Sequence, residues 1–246
     1  MSETANQSSA VRPVDAAGLV LIRAPRKGAH AGEPEILIGR RPARMGFLPG
    51  IHVVPGGRVD PADMMPSGFD DSLHPRVAHL LRGGGTRRPP RAFLHAALRE
   101  TFEETGLLVG RPAGQIPSGG ADTSLWRAYR QAGLCPDFTG FDYLCRAITP
   151  VGSRRRFNTR FFLADGSLAD GPLGGDGELE DLAWRPVSAF GELTLVDVTQ
   201  YVLETALRRW RERIPIGADT PKLLNYRNNI MTLSIERRAR LPLAAQ

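Results

Sequence analysis

The stretch from about Pro90 to Gly106 constrains this chain more than any other part of its sequence. Its apolar residues recur at helical spacing, at Phe93, Ala97, Leu98 and Phe102. Gly106 then interrupts the pattern, as a residue that caps the C-terminus of a helix does. The spacing predicts an amphipathic helix over about 90–105 that packs one face against a core.

Three carboxylates fall on one face of this predicted helix. Glu100, Glu103 and Glu104 stand at positions i, i+3 and i+4, which share a face. Arg99 can pair with Glu103, but one cation does not neutralise three anions. A hard divalent cation such as Mg²⁺ or Mn²⁺ does, because such ions take oxygen ligands. A solvated, charged helix face is the alternative, and the apolar residues of the same helix argue against it.

A second informative segment contains the paired glycines Gly56 and Gly57, followed by Asp60 and Asp63. Paired glycines allow a tight turn and a close approach of the backbone to a phosphate. An ordinary loop is the alternative interpretation. On its own this segment is weak evidence for a site.

Together, the two segments resemble the signature of the Nudix hydrolases, G-x5-E-x7-R-E-U-x-E-E-x-G-U, where U is bulky and apolar. Gly57 takes the first position, and Asp63 stands where the signature has its first glutamate. Thr101 replaces an apolar residue, and the spacer 64–98 has 35 residues where the signature has 7, an insertion of 28. The second half is matched by Arg99, Glu100, Glu103, Glu104, Gly106 and Leu107.

The resemblance implies an α/β/α sandwich round a mixed β-sheet. We expect a flexible tail over 1–14 and a single domain over 15–246. Within it, residues 64–90 form an insertion that loops out, and residues 194–246 form a C-terminal helical extension. Alternating and apolar runs between turn residues predict strands at 16–22, 35–38, 52–54, 107–109, 143–148, 160–164, 182–185 and 230–235, and further helices at 75–81, 123–132 and 194–213.

The resemblance also implies roles for single residues. Glu100, Glu103 and Glu104 would hold one to three Mg²⁺ or Mn²⁺ ions, Arg99 would orient them through a salt bridge, and Gly57 would shape the adjacent loop. A carboxylate, either Glu100 or an acid from elsewhere, would take a proton from the attacking water. The additional acids considered are Asp63, Glu178 and Glu180, the last two with an exposed acidic loop as the alternative.

At a finer level, residues 40–60 are similar to the coenzyme A diphosphatase branch, in particular to organellar members with a long insertion inside the signature. Residues 154–162 are similar to the same subgroup. Guanidinium groups bind phosphate through two hydrogen bonds, so arginines would suit a substrate with several phosphates. The predicted substrate-binding residues are Gly56, Gly57, Arg40, Arg44, Arg156 and Arg160.

Composition leaves the partner open. The net charge of +6 permits nucleic-acid binding, but the 30 arginines, set against 2 lysines, are scattered and also fit a coding bias. No apolar run approaches the ~20 residues that span a bilayer, and the N-terminus lacks a secretory layout. Two cysteines give no disulfide framework. We expect a cytoplasmic protein without a membrane partner, with a homodimer contact as one role for its C-terminal part.

The leading hypothesis is therefore metal-dependent hydrolysis of a diphosphate linkage in coenzyme A or an acyl-coenzyme A. The same chemistry on ADP-ribose, NADH, a dinucleoside polyphosphate or capped RNA is the second hypothesis. The third is a non-catalytic Nudix module that binds a nucleotide or nucleic acid. The complete set of helix glutamates favours an enzyme over such a module.

Overall fold

The structure, a computed structural model, describes residues 11–25, 32–46 and 48–235. Within these ranges, four strands come first, two helices follow, and the remaining strands and helices are mixed. The strands are β1 (Val14–Arg23), β2 (Glu35–Arg40), β3 (His52–Val53), β4 (Gly56–Arg58), β5 (Leu108–Pro112), β6 (Leu134–Pro136), β7 (Asp142–Ile148), β8 (Phe157–Asp165), β9 (Ala169–Asp170), β10 (Glu180–Pro186), β11 (Lys222–Arg227) and β12 (Ile230–Ile235). The helices are α1 (Pro75–Leu81), α2 (Pro90–Thr105), α3 (Ser124–Ala132) and α4 (Asp197–Arg211).

The main sheet is mixed. Its strands lie in the order β10-β2-β1-β8-β7-β11-β12, with β3 against β2 and β4 against β1. The pairs β1–β8 and β7–β11 are parallel, and the others are antiparallel. Seven consecutive residues of β1 are buried, because helices cover both faces of the sheet at this strand.

Two apolar cores flank the sheet, which makes the architecture an α/β/α sandwich. Helices α1, α2 and α3 cover one face, where Phe93 and Leu98 meet Leu19 and Leu21 of β1. Helix α4 covers the other face, through Val202 and its neighbours. The expected fold class is confirmed.

The helix predicted at 90–105 is confirmed with the same bounds. Gly106 follows in the left-handed conformation, at φ 76°, and its N–H reaches the carbonyl of Phe102. Thr101, a departure from the signature, is buried, and its hydroxyl donates to the carbonyl of Ala97 at 2.7 Å. A buried hydroxyl with an intrahelical acceptor carries little penalty, so the helix accommodates threonine here.

Part of the insertion packs into the core instead of looping out. Helix α1 buries Val77 and Leu81 completely in the same core as α2. The insertion is therefore part of the sandwich. The helix predicted at 75–81 is confirmed with the same bounds, but its packing was not foreseen, because seven residues are too few to define a buried face from periodicity.

The C-terminal part is a helix followed by a hairpin rather than a helical extension. After α4, strand β11 joins the sheet parallel to β7, and β12 pairs with β11. Asn228 and Asn229 make the turn at φ 50° and 62°, a conformation that asparagine tolerates. The last residues of the predicted extension, 236–246, and most of the predicted tail, 1–10, lie outside the described residues. No helix in the described ranges has the length and apolar character needed to cross a bilayer.

Candidate active site

The paired glycines let β4 lie against both β1 and helix α2. A Cβ built on Gly56 would stand 2.5 Å from the carbonyl oxygen of Ala17 on β1. A Cβ on Gly57 would stand 2.3 Å from Cδ of Glu100. Real Cβ atoms do not approach other atoms so closely, so Gly56 requires glycine against the β1 backbone, whereas a side chain at Gly57 would push the Glu100 carboxylate out of its place.

Arg99 holds the predicted acids together. Its Nη1 lies 2.9 Å from Oε1 of Glu100 and 2.9 Å from Oε2 of Glu103. Its Nη2 also donates to the carbonyl oxygen of Arg58, at 2.8 Å, at the end of β4. Arg99 thus fixes two of the three helix glutamates and ties them to the glycine turn.

Asp63 is a partner of Arg99. Its two carboxylate oxygens accept from Nε and Nη2 of Arg99 at 3.0 and 3.1 Å, and Oδ2 also accepts from the backbone N–H of Asp60 at 2.8 Å. The residue is only 4% exposed. Both carboxylate oxygens of Asp63 are therefore engaged in holding Arg99 in place. Asp63 acts here as the partner of the arginine rather than as an additional acid of the site.

Glu104 is a buried carboxylate and Glu100 a partly buried one, and both lie near other anions. Burial raises the pKa of Glu100 to about 7 against the opposing pull of Arg99, and Glu103 and Glu178 add to the rise. Burial likewise raises the pKa of Glu104 to about 8, partly offset by the N–H of Gly56, which donates to Oε2 at 2.9 Å. The fold therefore holds two acids where their negative charge is costly.

The segment before β10 brings Glu178 to this pair. The N–H of Gly174 donates to the carbonyl of Thr105, and that of Asp176 to the carbonyl of Glu103, at 2.9 and 3.0 Å. These bonds dock the segment on the last turn of α2. Glu178 itself is exposed, and its charge raises the pKa of both Glu100 and Glu104.

Glu180 faces arginines instead. Its carboxylate lies 3.3 Å from Nη2 of Arg40 and 3.4 Å from Nη1 of Arg44. Arg44 also donates to the carbonyl oxygen of Gly177, at 2.9 Å. Arg40 and Arg44, both predicted to bind substrate, are therefore paired with Glu180. Arg44 also contacts the segment that carries Glu178.

The structure does not bring the other two predicted arginines to the glutamates. Arg156 donates to the carbonyl oxygen of Thr149 at 3.1 Å and braces a loop. Arg160 is 1% exposed, with its guanidinium 4.0 Å from the ring centre of Phe93 and 3.2 Å from Asp15. Arg160 is thus an interior residue, and the expectation that it contacts substrate is not supported.

Comparison with known proteins identifies the family. The chain is 31% identical to a Nudix hydrolase from Alicyclobacillus acidocaldarius of known crystal structure, with a TM-score of 0.59 over 80% of this chain and 92% of that one. The chain belongs to the Nudix hydrolase family. No family model matches it.

Two curated relatives of this Nudix hydrolase carry the name acyl-coenzyme A diphosphatase NUDT19. The protein from Gallus gallus is 30% identical over 205 residues, which cover 60% of this chain and 54% of the relative. The protein from Homo sapiens is 29% identical over 175 residues, covering 52% and 47%. The chain thus spans about half the length of the curated relatives it matches.

The donor set of this Nudix chain fits a hard divalent cation. The Glu100 carboxylate lies beside Gly57, Glu104 accepts from the N–H of Gly56, and the charge of Glu178 acts on both glutamates; oxygen is the ligand that Mg²⁺ and Mn²⁺ prefer. Within the described ranges, no three His, Cys, Asp or Glu side chains already have the arrangement of a metal site.

Sequence reasoning missed one residue near the acids of this Nudix chain. The charge of Arg41 lowers the pKa of Glu104, while burial and the other acids raise it. Arg40, its neighbour, was predicted instead. Successive side chains at the end of a strand point to opposite sides, so the alternation along β2 was the signal that distinguishes the two.

Proposed function

We propose that this chain is a metal-dependent diphosphatase that hydrolyses the diphosphate linkage of coenzyme A or an acyl-coenzyme A. One observation carries the proposal: the buried Glu104 and the partly buried Glu100 both lie against the glycine turn, at Gly56 and Gly57, with raised pKa values. Strongly shifted pKa values of this kind concentrate at functional sites, and a bound divalent cation would offset the cost of holding both carboxylates ionised.

Glu100, Glu103 and Glu104 would hold Mg²⁺ or Mn²⁺, with Arg99 as the group that orients them. The bound metal would supply neutralisation of the diphosphate and a lowered pKa for the attacking water. A carboxylate that is partly ionised near neutral pH suits the general base. Glu100 and Glu178 are the two acids in reach of this role.

Arg40 and Arg44 support a substrate with several phosphates. Their contacts with Glu180 exceed 3.2 Å and all three side chains are at least 40% exposed, so these ion pairs contribute little and exchange readily for a phosphate. A phosphate offers each guanidinium two parallel hydrogen bonds. The 3′-phosphate of coenzyme A has this chemistry, and the two curated relatives are named for acyl-coenzyme A.

The decisive test incubates the purified protein with coenzyme A and Mg²⁺ or Mn²⁺ and measures 3′,5′-ADP and 4′-phosphopantetheine. We expect both products in equal amounts and none without the metal. ADP-ribose, NADH, a dinucleoside polyphosphate and capped RNA, ranked by kcat/KM, form the comparison panel. A higher kcat/KM on one of these would reassign the substrate and keep the reaction.

Two variants link the activity to the helix. Glu103→Gln and Glu104→Gln should abolish turnover while the protein stays folded. Glu204→Gln, an exposed glutamate on α4 at the opposite face of the sheet, is the matched control and should retain turnover. Wild-type turnover in either helix variant contradicts the metal assignment. Salt-sensitive nucleic-acid binding without any hydrolysis would favour the non-catalytic module.

A further inference from the structure

One segment of the insertion, residues 66–71, is fixed tightly to the α2 side of the sandwich. The carbonyl oxygen of Pro66 accepts from the N–H of Ala121 at 2.9 Å. The ring of Phe69 packs against Trp126 and Tyr129 of α3, with centroids 6.1 and 6.0 Å apart. This segment is therefore a docked part of the core.

The docked segment reaches helix α2 through a buried polar bridge. Oδ1 of Asp71 accepts from the hydroxyl of Ser67 and lies 3.1 Å from Nε2 of His95. Burial opposes ionisation of Asp71, but the hydrogen bonds from His95 and Ser67 hold its pKa below the usual range. Asp71 is thus a charged acceptor, and His95 donates to it.

His95 has no second polar anchor among the described residues. It is 1% exposed, and its ring lies between Trp126 and Phe138, with centroids 4.9 and 5.4 Å away. Its Nδ1 is buried without a hydrogen-bond partner in the described part of the chain. Among the described residues, Asp71 is therefore the one hydrogen-bond partner that orients the His95 ring.

The bridge belongs to one ridge of α2 that leads to the site. Arg91, His95, Arg99 and Glu103 are spaced by four residues, so they follow each other along the helix. Arg91 donates to the carbonyl oxygen of Met64 at 3.1 Å, and Arg99 pairs with Asp63. No side chain of the described residues caps the N-terminus of α2. Met64, Asp71 and Asp63 thus contact three successive residues of the ridge that ends at Glu103.

We propose that the Asp71–His95 bridge makes the insertion a positioning element for the helix glutamates. By fixing the rotation and axial position of α2, it sets where Arg99 and the glutamates meet the glycine turn; His95 and Asp71 are positioning residues. The inference rests on the proposed function of those glutamates. Displacements of about 1 Å in such a site reduce turnover up to ~100-fold, which is the scale on which the bridge acts.

Four variants of the full chain test the bridge. His95→Phe keeps the ring between its aromatic neighbours and removes the donor, and Asp71→Ala removes the acceptor. Asp71→Asn retains an acceptor oxygen, so it should keep the wild-type properties that Asp71→Ala loses. Tyr129→Phe is the matched control, since it removes a buried hydroxyl that bonds Val109 without touching α2. Direct Mn²⁺ binding, amide hydrogen exchange over residues 99–105, and kcat and KM are measured below the unfolding temperature.

We expect His95→Phe and Asp71→Ala to weaken Mn²⁺ binding about tenfold, the lower end of what disturbed support of metal ligands costs, to accelerate exchange over 99–105 and to lower kcat with KM little changed. Asp71→Asn and Tyr129→Phe should match wild type in all three. Wild-type Mn²⁺ affinity and wild-type exchange in folded His95→Phe would overturn the proposal; Asp71→Ala decides if that variant does not fold. If the wild-type protein neither hydrolyses coenzyme A nor binds Mn²⁺, the proposed function is refuted. Amide exchange over 99–105 in the variants then still tests whether the bridge fixes the position of α2.

Discussion

The carboxylate of Glu100 fills the space that a side chain at Gly57 would need: a Cβ on the glycine would stand 2.3 Å from the carboxylate carbon of the glutamate. The contact joins the two halves of the signature, which the insertion separates in sequence. It also explains why the glycine turn and the helix glutamates belong to one site.

Gly57→Ala should therefore displace the Glu100 carboxylate and lower kcat about 100-fold or more. The protein should remain folded, because β4 is partly exposed. Turnover and Mn²⁺ affinity measure the effect. Gly114→Ala is the control, since no described atom lies within 4 Å of a Cβ there. Equal loss of activity in both variants would contradict the steric explanation.

The metal-free protein should become less stable between about pH 5 and pH 8. Glu100 and Glu104 have pKa values of about 7 and 8 in the folded protein against an ordinary value of 4.5. In this window the folded protein binds more protons than the unfolded chain, so the free energy of unfolding falls as the pH rises. Mn²⁺ should stabilise more at pH 8 than at pH 6. Thermal unfolding across this range, with and without Mn²⁺, measures both trends.

Glu104→Gln should raise the melting temperature of the metal-free protein at pH 8. The amide oxygen can still accept from the N–H of Gly56, and the buried charge is gone. The same variant should lose stabilisation by Mn²⁺. A lower melting temperature without metal would mean that the ionised carboxylate is held by favourable contacts.

Asp63→Asn should cost about 3 kcal/mol of unfolding free energy, because it breaks a buried ion pair and leaves Arg99 undercompensated. Denaturant unfolding measures the loss, and Mn²⁺ affinity should fall with it. Asp122→Asn is the matched control. Its pairs with Arg127 and Arg130 lie at the surface, so its cost should stay below about 1 kcal/mol.

Arg44→Gln should raise KM for coenzyme A about tenfold, the scale of one lost charge-assisted hydrogen bond. The change should be smaller for 3′-dephospho-coenzyme A, which lacks the phosphate that the guanidinium would bind. Arg160→Met should instead reduce stability and leave KM unaffected, since this side chain is interior. An equal rise in KM for both substrates would place Arg44 away from the 3′-phosphate.

The helix, its glycine cap and the clustered carboxylates were predictable because they depend on local spacing along one chain segment. The strands β1, β2, β7 and β8 were predictable for the same reason, since each carries a local apolar run. The packing of α1, the hairpin after α4 and the pairing of Arg160 with Asp15 were not. They depend on contacts between residues far apart in sequence, which periodicity does not encode.

By itself the sequence determined the family signature, the amphipathic glutamate helix and the hard-oxygen chemistry of its face. Only the tertiary structure decided which acids lose their solvent, because burial is a property of the packed sandwich: Asp63 is buried against Arg99 and Glu104 against Gly56, whereas Glu178 stays exposed. It likewise divided the predicted arginines, leaving Arg44 at the surface and Arg160 in the core. Strand pairing and core packing determine which charged side chains stay in water and which are buried. Exposed charges remain available to a ligand, whereas buried ones such as Arg160 stabilise the fold.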